Sequence, residues 1–327
     1  MNSAHNFSGA MPRLTPLQWQ QTGALARWFI VSRGRVLGLT LFPCLLAALL
    51  AVDAGLFEWR YWLLCLMGLL LAHAANNQLN DLVDSTRGVD AGDYFRRQYG
   101  TQVLEDGFLS RRALTVCFLG TGGLAALAGV ALVWLSGWLV ALPFLAGALL
   151  LVFYTHPLKT LGLGEVAVLL VWGPLMTGGT YLATTGEWLN SVAWLGTVCA
   201  LGPAAVIFGK HIDKVAQDRA RGVRTLPVRL GAARSRWLVI ALVLLQLCAT
   251  FWLVGTGVLG WPLLLITGAL PAAWRLCQVL RFPAPQTCPD GFPEGVWPLW
   301  YVAHAFVYSG RFAALFLIGF AAALLVD

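Results

Sequence analysis

Charge is what this sequence has least of. Only 11% of its 327 residues are Asp, Glu, Lys or Arg, against 58% that are hydrophobic. That balance excludes an ordinary water-soluble domain and points to an all-α, polytopic membrane protein. Paired-cysteine chemistry is missing too. The seven Cys fall mostly inside apolar runs, with no CxxC and no Cys/His spacing, so they read as small buried hydrophobes. No compact signal peptide is expected ahead of the first long apolar run, which starts near Val36. Acids are the scarcer charge, and the formal net charge is +7. The placement of the basic residues argues for membrane orientation and phosphate binding, not for nucleic acid.

What the chain does have is long apolar runs. Nine candidate spans can be counted, at roughly 35–52, 60–80, 112–135, 138–155, 164–184, 190–211, 236–255, 258–279 and 303–326. The third and fourth are parted only by Ser136-Gly137, and Arg311 lies inside the ninth. Several of the fifteen Trp (Trp59, Trp62, Trp138, Trp188, Trp261) stand near span ends, as interfacial anchors do. Residues 1–14 are small and polar and are expected to be disordered. Pro16 to Ser32 carries Leu17, Trp19, Leu25, Trp28 and Phe29 among polar neighbours, which predicts a helix lying at the membrane surface. The expected organisation is therefore residues 1–33 as a polar and interfacial segment, and 34–327 as a nine-helix transmembrane domain.

The loops alternate in charge. The N-terminal segment and loops 85–111, 156–163, 212–235 and 280–302 hold or adjoin nearly all of the 22 Lys and Arg; Arg60 is the exception. The positive-inside rule makes that side cytoplasmic, with the N-terminus in and the C-terminus out of a cell (inner) membrane.

Against this background, His73 to Asp90 stands out: His-Ala-Ala-Asn-Asn-Gln-Leu-Asn-Asp-Leu-Val-Asp-Ser-Thr-Arg-Gly-Val-Asp. At about 100° per residue, His73, Asn77, Asn80, Asp81 and Asp84 share an arc of about 100° on one helix face. The plain reading is a helix end emerging into water. A face of carboxylates and carboxamides on a membrane helix argues instead for a polar cavity, since each buried ionisable group costs ~2.5–3.5 kcal/mol on insertion scales. Oxygen ligands of this kind suit Mg²⁺, which is usually shared with substrate phosphates.

A second polar stretch, Gly209-Lys210-His211-Ile212-Asp213-Lys214-Val215-Ala216-Gln217-Asp218, ends the sixth span on the same side, four spans later. Between them Tyr154-Thr155-His156-Pro157-Leu158-Lys159 ends the fourth span. Lys159 alone would be a topology charge; beside two acidic motifs it reads as a phosphate anchor. Arg87, Arg96 and Arg97 follow the first motif, and Arg219, Arg221 and Arg224 the second. Guanidinium forks match phosphate oxygens. Acids and bases together imply a metal-bridged diphosphate, and a membrane cavity beneath it implies an amphiphilic substrate.

These residues carry a resemblance. Asn77-x-x-Asn80-Asp81-x-x-Asp84-x-x-x-Gly88-x-Asp90 resembles the first aspartate motif of the UbiA superfamily of intramembrane aromatic prenyltransferases. Asp213 to Gly231, with Asp218, Gly222, Thr225-Leu226-Pro227-Val228 and Leu230-Gly231, resembles the second. Leu161-Gly162-Leu163-Gly164-Glu165 and Gly173-Pro174 are most similar to the 1,4-dihydroxy-2-naphthoate polyprenyltransferases of menaquinone synthesis. The resemblance implies an isoprenyl diphosphate donor, an aromatic acceptor, and Mg²⁺ held by Asp81, Asp84, Asp213 and Asp218 with Asn77 or Asn80. It implies that Lys159 and nearby basic residues neutralise the leaving diphosphate. Arg87, Tyr154, Lys210, Lys214 and Arg224 join the expected donor-binding set, and His73 is a candidate for positioning the acceptor.

Two other readings compete: an ion-coupled transporter, since intramembrane acids also mark ion pathways, and the same fold acting on a non-aromatic lipid or alcohol. One departure needs a structural answer. Asp213 and Asp218 are five residues apart, so on a regular helix they diverge by about 140°. Convergence of both on Asp81 and Asp84 requires a bulge, or unwinding after Asp213.

Overall fold

The surface segment begins with a designed-in start signal. In α1 (Pro16–Gln21) the Thr15 hydroxyl accepts from the Gln18 amide while the Gln18 side chain accepts from the Thr15 amide, a reciprocal cap. The chain then breaks at Thr22-Gly23 and resumes as α2 (Ala24–Val31), so the single surface helix expected there is two. Leu17, Leu25 and Phe29 remain exposed, while Trp19 is buried with its ring stacked 5.2 Å from Phe108. The structure, a computed structural model, describes residues 13–86 and 100–326; the candidate residues Arg87, Arg96 and Arg97 lie outside them.

The long helices follow as α3 (Gly34–Asp53), α4 (Trp59–Thr86), α5 (Arg111–Ser136), α6 (Trp138–Leu158), α7 (Gly164–Thr185) and α8 (Asn190–Asp213). Two short helices, α9 (Val215–Ala220) and α10 (Leu226–Leu230), lead to α11 (Ala232–Gly255), α12 (Trp261–Arg281) and α13 (Trp300–Val326). Every regular element among the described residues is helical. Eight of them are long and apolar enough to cross a membrane. The ninth long helix, α4, has the length, but the polar residues of its C-terminal half lower its mean hydropathy. The narrow separation at Ser136-Gly137 is a real turn, made at Gly137 with φ 103°.

Proline inside a helix leaves the carbonyl four residues earlier without its amide partner, which is costly where there is no water. Two such carbonyls are satisfied from neighbouring helices. Pro43 frees the Leu39 carbonyl, which accepts from the Trp172 indole N–H at 3.1 Å. Pro203 frees the Cys199 carbonyl, which accepts from Gln246 Nε2 at 2.9 Å; Tyr308 in turn donates its hydroxyl to Gln246 Oε1 at 2.8 Å. These bonds tie α3 to α7, and α8 to α11 and α13. The main apolar core lies between α8, α11, α12 and α13 and includes Leu263, Ile266, Leu276, Tyr308, Phe312 and Phe316. By contrast α5 and α6 turn Leu124, Leu127, Trp134, Leu142, Leu145 and Leu149 outward, as lipid-facing helices do.

The ends of α4, α6 and α8 and the starts of α7 and α13 gather at one end of the bundle. A close backbone approach there is at Gly209, where a Cβ would sit 3.0 Å from Val302 Cα and N. Only glycine lets α8 and α13 meet so tightly.

Candidate active site

The polar face of α4 does not emerge into water. His73, Asn77, Asn80, Asp81 and Asp84 are all buried, and each has a partner on another element. His73 Nδ1 lies 2.8 Å from the Thr40 hydroxyl, and its ring meets Trp172 edge-on at 5.1 Å. Asn77 donates its Nδ2 hydrogen to the Ser32 carbonyl at 2.9 Å, and Asn80 donates to the Thr155 hydroxyl at 3.2 Å. The Ser32 carbonyl can only accept, so it fixes the Asn77 amide and leaves that carboxamide oxygen presented away from the contact. Asp81 pairs with Arg33, which sits between α2 and α3 in a left-handed backbone conformation, φ 54°. Asp84 accepts from Lys159 Nζ with both oxygens, at 3.2 and 2.9 Å.

The second motif is irregular, as its spacing requires. Helix α8 stops at Asp213, Lys214 leaves helical geometry at φ −120° and ψ 19°, and α9 starts at Val215. Asp213 nevertheless does not turn towards α4, which corrects the expectation that it joins Asp81 and Asp84. Its carboxylate accepts from the backbone N–H groups of Tyr301 at 2.9 Å and Val302 at 3.0 Å. The first amides of a helix have no partner within it, and Asp213 supplies one across the fold for α13. Both of its oxygens are committed there. Asp218 is buried and pairs with Lys214 at 3.1 Å, one turn earlier.

A cavity of about 940 Å³ opens beside these groups. Arg33, Asn77, Asn80, Asp84, Lys159, Lys210 and Lys214 form its polar end, with Tyr154 and His73 on the wall. The rest is mostly apolar. It runs down α4 from Asp84 to Cys65, about 28 Å at 1.5 Å per residue. Asp81, Asp213 and Asp218 are not part of this lining. Arg224 is exposed and does not line the cavity; its carbonyl accepts from Arg229 Nε at 3.2 Å, so the structure does not place it with the donor-binding set.

Sequence reasoning missed three features. Arg33 was counted only as loop charge, although it reaches Asp81 48 residues away. Glu165 and His211 form a buried pair, Oε1 to Nδ1 2.6 Å, between α7 and α8. His304 lines the cavity from the first turns of α13 beside Phe292, and no spacing pattern marked either.

Among the described residues no three His, Cys, Asp or Glu side chains already gather as a metal cluster. The donor set still fits Mg²⁺. This ion typically takes one or two carboxylates and completes its octahedron with waters and substrate phosphates, without an all-protein cage. Asp84 and Asp81, with the Asn77 and Asn80 oxygens, are hard donors of that kind on one helix face, and cations for phosphate stand beside them.

With this geometry in place, likeness to known proteins can be weighed. The sequence model of the UbiA prenyltransferase family matches residues 40–292. The 1,4-dihydroxy-2-naphthoate octaprenyltransferase of Mycobacterium leprae is 30% identical over 281 residues, covering 79% of this chain and 86% of that protein. The digeranylgeranylglyceryl phosphate synthase of Natronomonas pharaonis is 28% identical over 233 residues, 68% of this chain and 78% of that protein. Among solved structures, a UbiA homologue from Archaeoglobus fulgidus bound to GPP and Mg²⁺ superposes with a TM-score of 0.54 at 16% identity, over 90% of this chain and 99% of that one. A digeranylgeranylglyceryl phosphate synthase structure gives 0.57 at 15% identity, over 90% and 98%. The acidic helix face, the apolar cavity beneath it and these matches lead to one conclusion: the chain belongs to the UbiA prenyltransferase family.

Proposed function

We propose that this membrane prenyltransferase moves a prenyl or polyprenyl group from an isoprenyl diphosphate to an aromatic acceptor of the quinone-precursor type, with Mg²⁺. The observation that carries the reading is the junction of Asn77, Asn80 and Asp84 with Lys159, Lys210 and Lys214 at the mouth of a long apolar cavity. That combination suits a diphosphate head and a hydrocarbon tail. Asp84 and Asp81, with Asn77 or Asn80, would hold Mg²⁺, which when bound neutralises charge on the diphosphate. Lys159, Lys210, Lys214 and Arg33 act on the remaining phosphate charge, an electrostatic contribution that is usually the largest in such reactions. Asp218 contributes through Lys214, whose ammonium it orients. The apolar body keeps water from the allylic carbon as the C–O bond breaks, and the Tyr154 and Trp172 rings on the wall suit a cationic group. The basic loops support a cytoplasmic site in the cell (inner) membrane.

The aromatic acceptor is favoured by the relatives named 1,4-dihydroxy-2-naphthoate octaprenyltransferase and by Phe292 and His304, which line the cavity with Trp300 packed against both. The glyceryl phosphate synthases support a second reading, a polyol phosphate acceptor. Ion-coupled transport finds no such support. The test is to incubate the purified protein with Mg²⁺ and labelled geranyl, farnesyl and longer polyprenyl diphosphates, offering 1,4-dihydroxy-2-naphthoate and geranylgeranylglyceryl phosphate in parallel. Label should enter the naphthoate and stop with EDTA. Transfer to the glyceryl phosphate alone would replace the first reading by the second.

A further inference from the structure

His304 lies outside the diphosphate end, on a helix that carries none of the acids, yet it faces the same cavity. Its Nδ1 is 2.9 Å from the Trp300 carbonyl oxygen. A carbonyl oxygen can only accept, so Nδ1 carries the hydrogen. In the neutral ring Nε2 then holds a lone pair and no hydrogen, and can only accept. His73 differs, because its Nδ1 meets a hydroxyl that both gives and accepts, so neither tautomer is imposed.

The surroundings of His304 are flat. Phe292 lies nearly parallel to it, with centroids 6.0 Å apart and planes at 21°. Trp300 meets it edge-on at 4.8 Å and lies tilted against Phe292 at 5.1 Å. The position of this group is set from behind, because Asp213 caps the turn of α13 on which His304 stands.

We propose that His304 is an acceptor-binding residue: its Nε2 accepts a hydrogen bond from a ring hydroxyl of the aromatic acceptor, beside Phe292 and Trp300. This rests on the aromatic-acceptor reading above and adds a chemical selectivity to it. A hydroxylated, reduced ring can donate to Nε2. The corresponding quinone or aryl ether has only acceptor oxygens and cannot. The site therefore selects the reduced acceptor and rejects its oxidised form.

The test uses the purified 327-residue chain in detergent, with acceptor binding measured before donor is added and the donor KM measured separately. The probes are 1,4-dihydroxy-2-naphthoate, kept reduced, and its 1,4-dimethoxy analogue. Wild type should bind the diol at least tenfold more tightly than the ether. His304→Phe, which keeps a flat ring without an accepting nitrogen, should lose that preference with the ether's affinity and the donor KM unchanged. His304→Gln, whose amide oxygen can accept, should retain part of it. Retention of the full preference by His304→Phe overturns the proposal. So does a parallel loss of both probes, or of donor affinity, in both variants, since that marks a packing role. If wild type binds neither naphthoate but prenylates geranylgeranylglyceryl phosphate, the aromatic-acceptor reading itself fails, a result distinct from failure at His304.

Discussion

Asp213 separates two accounts of the second motif. As a metal ligand, its replacement by Asn should raise the Mg²⁺ requirement and remove activity. As the cap of α13, it should do neither. Its carboxyl oxygens accept two bonds, 2.9 and 3.0 Å, from backbone N–H groups. Leaving a buried backbone donor without its acceptor costs about 1–3 kcal/mol. Asp213→Ala strands two such amides, so destabilisation of about 2–6 kcal/mol is expected, a large share of a typical fold's stability. Asp213→Asn keeps one oxygen for one amide and should cost about half as much. The assay is a thermal melt of purified protein in detergent, with Mg²⁺ titrated against the transfer rate for the same samples. The expected pattern for Asp213→Asn is a lower melting midpoint, a raised acceptor KM through displacement of His304, and an unchanged half-saturating Mg²⁺ concentration. A wild-type midpoint with an Mg²⁺ requirement shifted like that of Asp84→Asn would refute the capping argument.

Asp81→Asn and Asp84→Asn should each lower transfer by at least about 100-fold while insertion and purification stay normal; full turnover by either removes that residue from the metal site. Lys159→Ala should raise the donor KM much more than the acceptor KM. It should also destabilise the fold by about 3–5 kcal/mol by stranding Asp84, and an unchanged donor KM would return Lys159 to the role of topology charge. Gln246→Leu should lower the melting midpoint through loss of about 1–2 kcal/mol, since the Cys199 carbonyl and Tyr308 hydroxyl lose their partner. Its transfer rate should stay at the wild-type value, and a collapse of activity would show that the network reaches the site.

The fold was legible because lipid demands it. Long apolar runs bounded by basic loops have few solutions, and the nine expected spans correspond to the nine long helices, with ends moved by a few residues. The α4 face was legible because five polar residues at helical spacing on a membrane helix argue for a polar cavity over a helix end emerging into water. Asp213 was not. Its identity matched the motif, but its direction depends on the break at Lys214 and on α13, whose partner amides lie 88 and 89 residues on in the chain. Arg33 was hidden for a similar reason, since its partner Asp81 lies 48 residues on, and His304 because its role depends on the ring cluster with Phe292 and Trp300, which no periodicity marks.

The pairing of acids with bases has a thermodynamic consequence. Asp81, Asp84 and Asp218 each hold a cation already, Arg33, Lys159 and Lys214. A divalent ion arriving alone must pull a carboxylate from its ammonium or guanidinium and leave that cation uncompensated in a low-dielectric setting. Diphosphate arriving alone does the converse. Only when both arrive are the partners exchanged, acid to metal and base to phosphate, with no charge left bare. Each should therefore raise the other's affinity, and by reciprocity the two coupling factors are equal. On the proposed function the resting ion pairs would act as a coincidence detector, disfavouring either component alone and releasing the two together once the prenyl group has gone.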